Sequence, residues 1–394
     1  MHLRRLQIKN FRAISDQQLH FEDALGHVRP ISVIAGPNGS GKTSALFAIV
    51  QALRGALSAR IPDVPMPSED DLHRGDPTGR RPVTATVELD LIYRQAEMEA
   101  IRGVFAATRS LRERIGKAEL NPPQLVDGKL NLKWQYPPRV MRDGRLAMVS
   151  DLQSYPDYGF VWLHGPSAAW RGWKNRLLHS VTEMYPIGML NMFPQNRDRR
   201  WGIDVEDSGD DESDIDSRSV PLGPRNGHAD EPTVSDALRR LGEWAHGQGL
   251  DANDDRRKWE PQLQERFKRI CSPKEYKGYW LDHPRYGESP LLSDSGKEYP
   301  FRSAASGELV VLHYLTKFTF PRPVHNSLIL IDEPELHLHP KWIRQLYRAL
   351  PLMGDNNQFI LVTHSPELKQ LAAEDNALIP FGELGNQTGS AVNA

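Results

Sequence analysis

The chain has one cysteine, no long apolar run and almost no net charge. Cys271 stands alone, which excludes an internal disulfide framework and any zinc site built from several cysteines, and suits a reducing compartment. No stretch approaches the roughly 20 apolar residues of a membrane span, and the first eight residues lack the apolar segment of a secretion signal. These absences predict a cytoplasmic chain with no membrane partner. The formal charge of −2 balances 49 basic against 51 acidic residues, so any nucleic-acid surface must be a local patch. At 394 residues there is room for one large α/β domain with an insertion, or for two domains.

What is present centres on Gly36-Pro37-Asn38-Gly39-Ser40-Gly41-Lys42-Thr43, which fits G-x-x-x-x-G-K-[ST]. The glycines let the backbone curl, so that successive N–H groups point at phosphate oxygens. Lys42 brings a charge for the β- and γ-phosphates, and the Thr43 hydroxyl suits Mg²⁺. Residues 31–35 read as a short buried strand before the loop. Residues 44–53 read as a helix whose N-terminus faces the phosphates. A chance Gly-rich turn would lack both flanking elements.

The second signal is Leu328-Ile329-Leu330-Ile331-Asp332-Glu333-Pro334. Four apolar residues make a buried strand, which ends in two carboxylates at the edge where parallel sheets bind ligands. Asp332 suits a Mg²⁺ ligand through water, and Glu333 suits a base that orients and deprotonates attacking water. Asp-Glu-Pro is also an ordinary turn composition, and it is the phosphate loop that tips the reading towards chemistry. His364 stands just past another predicted strand, 358–362, from which its side chain can reach a γ-phosphate and the catalytic water. Ser306-Gly307-Glu308 opens a predicted helix. Ser306 reads as its N-cap, with exposed N–H groups forming an anion site, although an ordinary cap has the same composition.

Elsewhere, residues 3–10 and 19–21 read as two strands of an antiparallel flap on the sheet edge, and 83–91 as a further strand. From 299 onward strands alternate with helices, which implies a mostly parallel sheet. The middle has a different texture. It carries predicted helices at 96–120, 166–184, 233–247 and 253–270, short strands at 130–134 and 160–163, and eight of the nine tryptophans. That composition suits an inserted subdomain with its own small core. An acidic, Ser-containing run at 204–216 cannot bury enough surface to fold, and predicts a mobile loop over 204–230. The resulting plan is 1–93 and 299–394 as two halves of one head, with 94–298 inserted. Arg197, Arg199 and Arg200 beside Trp201 fit a DNA or partner surface, and equally a solvated turn facing the acidic loop.

In this order the motifs resemble those of ATP-binding-cassette ATPases, and more closely the soluble branch that includes SMC, RecF and OLD-type proteins. Leu6-Gln7-Ile8-Lys9-Asn10-Phe11-Arg12 is similar to that branch's N-terminal strand motif, and Leu72-His73-Arg74-Gly75 to an SMC pattern. Glu335-Leu336-His337-Leu338-His339-Pro340 resembles the OLD-type branch. The resemblance covers about 1–93 and 299–380. It implies an α/β P-loop NTPase of the ABC-ATPase head type: a mostly parallel sheet, an antiparallel N-terminal flap and an inserted α+β or helical subdomain. It implies ATP and Mg²⁺, with the nucleotide on Gly36, Pro37, Asn38, Gly39, Ser40, Gly41, Lys42, Thr43 and Ser44, and the metal on Thr43 and Asp332. Lys42, Glu333 and His364 would be catalytic, the last as the switch histidine. Ser306, Gly307 and Glu308 would form a signature motif that contacts ATP held by a second head, in a homodimer or higher oligomer. Gln95 and Gln135 are both candidates for the Q-loop glutamine.

Three further absences narrow the subfamily: no sustained heptads for a long coiled coil, no C-x-x-C for a zinc hook, and after His364 no room for a Toprim nuclease domain. Similar short ATPases stand beside a separate nuclease or toxin in bacterial anti-phage systems such as Septu and some retrons. The resemblance thus implies a separate effector protein in a DNA-associated process. A RecF-like recombination ATPase and, further off, a transporter cassette are the alternatives.

Overall fold

The computed structural model describes residues 1–58, 84–99, 126–136, 139–140, 146–147, 188, 190–193, 233–320 and 323–382. Three of its strands are buried at every residue: β3 (Ile31–Ala35), β12 (Leu328–Asp332) and β13 (Gln358–Thr363). With β8 (Leu190–Phe193) and β14 (Leu378–Pro380) they form an all-parallel sheet in the order β14-β3-β13-β12-β8. Their near-continuous apolar runs follow from burial on both faces. Ile34, Leu328, Leu330, Ile360 and Val362 face one core. Val33, Ile329, Ile331, Phe359 and Leu361 face a second.

The first core is closed by α1 (Lys42–Ser58) and a separate antiparallel sheet. That sheet runs β2 (Ile14–His20), β1 (His2–Phe11), β4 (Ala85–Ile92), β5 (Lys129–Tyr136). β4 and β5 alternate along their length, while β1 has an irregularity between Leu3 and Arg5 that lets Leu3, Leu6 and Ile8 all face inward. The expected flap therefore pairs not with the parallel sheet's edge but with β4, across α1. A short antiparallel pair, β6 (Arg139–Val140) and β7 (Leu146–Ala147), lies between β5 and β8 in sequence.

The second core holds α2 (Val234–Ala245), α3 (Trp259–Cys271), α4 (Ser306–Thr319), α5 (Pro340–Ala349) and α6 (Pro366–Glu374). Between α3 and α4 runs an antiparallel meander of β9 (Lys274–His283), β10 (Gly287–Asp294) and β11 (Lys297–Pro300). Cys271 is free and buried here, and burial pushes its thiol pKa up, away from thiolate chemistry. Twelve of the fourteen residues of α4 are buried, which is why it reads as apolar all round.

The described parts of 94–298 share these two cores with the rest of the chain. Trp134 of β5 packs edge-on to Phe11 in the first core, with ring centroids 6.1 Å apart. Trp244 of α2 belongs to the second. β8 pairs with β12. A separate tryptophan-built core for the insertion is therefore not what these residues make. The rest of the expected 96–120 helix, the strand at 160–163, the helix at 166–184, the acidic loop at 204–230, Arg197, Arg199, Arg200, Trp201 and the Leu72–Gly75 motif lie outside the described residues. Among the described residues, no helix is long and apolar enough to cross a membrane.

Candidate nucleotide site

β3, β13 and β12 end together. Ala35 is in register with Thr363, and Val362 with Asp332. The three motifs after these strands therefore meet at one edge of the sheet, where parallel α/β sheets bind ligands.

The phosphate loop needs its three glycines for two reasons. Gly39 and Gly41 have φ of +74° and +98°, conformations that L side chains rarely adopt. A Cβ on Gly36 would sit 2.0 Å from the Phe381 carbonyl oxygen. The Lys42 ammonium lies folded under the loop and donates to the Gly36 and Pro37 carbonyls at 3.1 and 2.7 Å. Burial lowers its pKa first, and the nearby Lys369 of α6 lowers it further, while Glu333 and Asp332 act the other way. Phosphate oxygens would relieve both cationic strains.

Thr43 Oγ1 donates to Asp332 Oδ1 at 3.1 Å, across 289 residues of sequence. A hydroxyl and a buried carboxylate brought to one point are hard oxygen donors of the kind Mg²⁺ takes. Among the described residues there is no cluster of three or more His, Cys, Asp or Glu to hold a metal without help. Mg²⁺ usually takes one or two protein ligands and completes its shell with phosphate and water. The residues present thus fit ATP·Mg²⁺.

Glu333 turns away from the strand with φ of +47°, and its N–H donates to the Val362 carbonyl at 2.8 Å. A non-Gly residue held there is uncommon, and such strain concentrates at working sites. Its Oε1 lies 3.7 Å from His364 Nε2, too long for a direct hydrogen bond but short enough to share a water or phosphate oxygen. Lys42, Thr43, Asp332, Glu333 and His364 are therefore gathered at one place.

The Ser306 segment lies at the start of α4 and differs from expectation in one respect. Ala305, with φ −72° and ψ 153°, is the N-cap, and exposed Ser306 is the first helical residue. Ala305 has no side-chain acceptor, so only half a capping box exists: Glu308 Oε2 accepts the Ala305 N–H at 2.6 Å. Helix geometry leaves the Ser306 and Gly307 N–H groups without intrahelical acceptors. Glu308 is fully buried and takes Tyr299 Oη at 2.6 Å and Lys274 Nζ at 2.5 Å. Its carboxylate is turned inward and holds the helix start in place. Of the two Q-loop candidates, Gln95 donates to Glu99 at 2.7 Å, and Gln135 pairs with Thr86 across β4 and β5.

Three residues at the site carried no role in the sequence reading. Arg12 lies over the Phe47 ring at 4.6 Å, beside the tip of the β1–β2 turn that packs on Gly41. Lys369 sits one helical turn after Ser365. Glu335 contacts the His364 loop. Arg12 and Glu335 stand inside quoted motifs, and nothing local in the sequence marks either contact.

Over short stretches the chain is similar to known ATPases. Residues 149–368 match the family described as "AAA domain, putative AbiEii toxin, Type IV TA system", and residues 5–122 match one described as "AAA domain". The chain is 54% identical over 40 residues to the Retron Vc95 probable ATPase of Vibrio cholerae, covering 10% of this chain and 8% of that one. It is 43% identical over 58 residues to the Septu protein PtuA of Bacillus thuringiensis, covering 15% and 14%. It is 27% identical over 169 residues to the DNA double-strand break repair Rad50 ATPase of Archaeoglobus fulgidus, covering 41% and 18%. The matched stretches thus span less than a fifth of these relatives' own lengths. In fold, the chain is similar to an SMC head solved with the C-winged helix domain of ScpA, with a TM-score of 0.50 at 13% identity over 93% of this chain and 91% of that one. With more than half of its length matched by the first family, the chain belongs to that AAA-domain family, and its similarities are to SMC/RecF/OLD-like ATPases.

Proposed function

We propose that this chain binds and hydrolyses ATP between two paired heads, and that its nucleotide state controls a separate effector protein, a nuclease or toxin, in bacterial anti-phage defence. The observation that carries the ATPase reading is the Thr43–Asp332 hydrogen bond, with Glu333 and His364 beside it. In this reading the phosphate-loop N–H groups and Lys42 hold the β- and γ-phosphates, and Thr43 and Asp332 hold Mg²⁺, which neutralises phosphate charge. Glu333 takes a proton from the water that attacks the γ-phosphorus, and His364 hydrogen-bonds the reacting oxygens. Inorganic phosphate and ADP leave.

Pairing is supported by the exposed Ser306 at the start of α4, since helix N-termini carry N–H groups without intrahelical acceptors that suit the γ-phosphate of a neighbouring head. Control of an effector is supported by similarity to a Septu protein and to retron ATPases. A recombination ATPase is the second reading, favoured by the longer match to Rad50. Isolation of the chain from its native host separates the two readings: a nuclease or toxin subunit co-purifying at fixed ratio supports the first. Duplex-stimulated turnover with no such subunit supports the second.

Replacing Lys42 with Ala should weaken ATP binding by about tenfold or more, the scale of a charged hydrogen bond. Calorimetric titration with a non-hydrolysable ATP analogue measures it. Unchanged affinity would place the nucleotide elsewhere.

A further inference from the structure

Residues 333–339 join the end of β12 to α5, and they touch two other motifs on the way. Glu335 Oε1 accepts three hydrogen bonds from consecutive residues: Thr363 Oγ1 at 2.5 Å, the His364 N–H at 2.9 Å and the Ser365 N–H at 2.9 Å. Thr363 Oγ1 also accepts the Ser365 N–H at 2.9 Å, which closes the cluster. Further along, His337 has φ of +66°, and its carbonyl oxygen lies where a Cβ on Gly307 would come within 2.6 Å. One short loop therefore carries Glu333, grips the backbone around His364 and abuts the start of α4.

The grip has mechanical content. Two successive N–H groups converging on one oxygen form an anion-binding nest, and a carboxylate in it makes charge-assisted bonds about twice as strong as neutral ones. The direction of the His364 side chain is set by the backbone at 363–365. Its Nε2 stands 3.7 Å from Glu333 Oε1, so a small turn of that backbone changes what the imidazole reaches. A misplacement of about 1 Å at a reacting centre costs on the order of 10²-fold in rate. The second oxygen, Glu335 Oε2, is buried with no hydrogen-bond partner.

We propose that Glu335 is a positioning residue for ATP hydrolysis, clamping the 363–365 backbone so that His364 is aimed at the reacting phosphate beside Glu333. This rests on the ATPase reading above.

The test is a double-mutant cycle in steady-state ATP turnover, with affinity for a non-hydrolysable ATP analogue measured in parallel. Glu335→Ala should lower kcat by about tenfold, with KM and analogue affinity within about twofold of wild type. On a His364→Ala background the same change should cost less than about twofold more, because both substitutions remove one contribution. Glu335→Gln keeps a carbonyl acceptor in the nest and should recover most of the lost kcat. Equal losses on both backgrounds, or a folded Glu335→Gln protein as slow as Glu335→Ala, would overturn the clamp. Should Glu335→Ala fail to fold, the near-isosteric Thr363→Val, which removes one of the three donors, carries the cycle, and additive losses there overturn it equally. A wild-type protein that binds the analogue but never turns over ATP overturns the hydrolysis reading and the clamp together. Turnover with additive losses overturns the clamp alone.

Discussion

Replacing Glu333 with Gln should leave nucleotide binding intact and slow ATP turnover by about 10²-fold or more, the scale of losing a general base. Gln has nearly the same shape and can still hydrogen-bond a water, but it cannot take the proton. The local geometry should survive, because the position of residue 333 is fixed by its backbone: its N–H bond to the Val362 carbonyl and a φ of +47° do not depend on the carboxylate. Its neighbour differs. Asp332 is buried and bonded to Thr43, so Asp332→Asn should disturb the metal site and binding along with turnover. The informative comparison is phosphate release set against analogue affinity for the same protein. Normal turnover by Glu333→Gln would remove Glu333 as the base.

The parts of this site that could be read from sequence are those whose signal is local. The phosphate loop carries its own glycine spacing. β12 and β13 announce themselves because strands buried on both faces must be apolar at every position, and the residues just past them must sit at the sheet's edge. The sequence points to Ser306 as the cap, one residue past the true one, because a Ser before a helix is the usual choice. Here the chain uses Ala305 and lets Glu308 satisfy its N–H from inside. Glu335 has no role in sequence because its three donors belong to 363–365, 28 to 30 residues further on, and no periodicity encodes that contact. The same holds in the middle of the chain. β8 has four residues, too short for a pattern to distinguish, yet Leu190 pairs with Leu328 and extends the central sheet. Trp134 looked like part of an inserted core because composition records where tryptophans cluster in sequence. The pairing of β5 with β4 that carries Trp134 to Phe11 leaves no such mark.

Ser306→Glu should abolish ATP-driven pairing of heads while leaving each head folded and able to bind nucleotide. Ser306 is exposed at the first position of α4, a 14-residue helix. A carboxylate there is favourable to the helix itself, since acidic groups complement the partial positive charge of an N-terminus. The same carboxylate would face the γ-phosphate of ATP on the other head. Two like charges about 4 Å apart near a surface repel by on the order of 4 kcal/mol, or about a thousandfold in the association constant. A symmetric pair meets that repulsion at both of its sites. The sign of the effect therefore differs between the isolated head, which is stabilised, and the assembly, which is broken. Light scattering with a non-hydrolysable analogue should show wild type shifting to a larger species and Ser306→Glu failing to shift, with the melting temperature equal or higher. Turnover per head should fall together with pairing. An identical assembly in both proteins would show that the heads join through another surface, and that the start of α4 does not face a partner's phosphate.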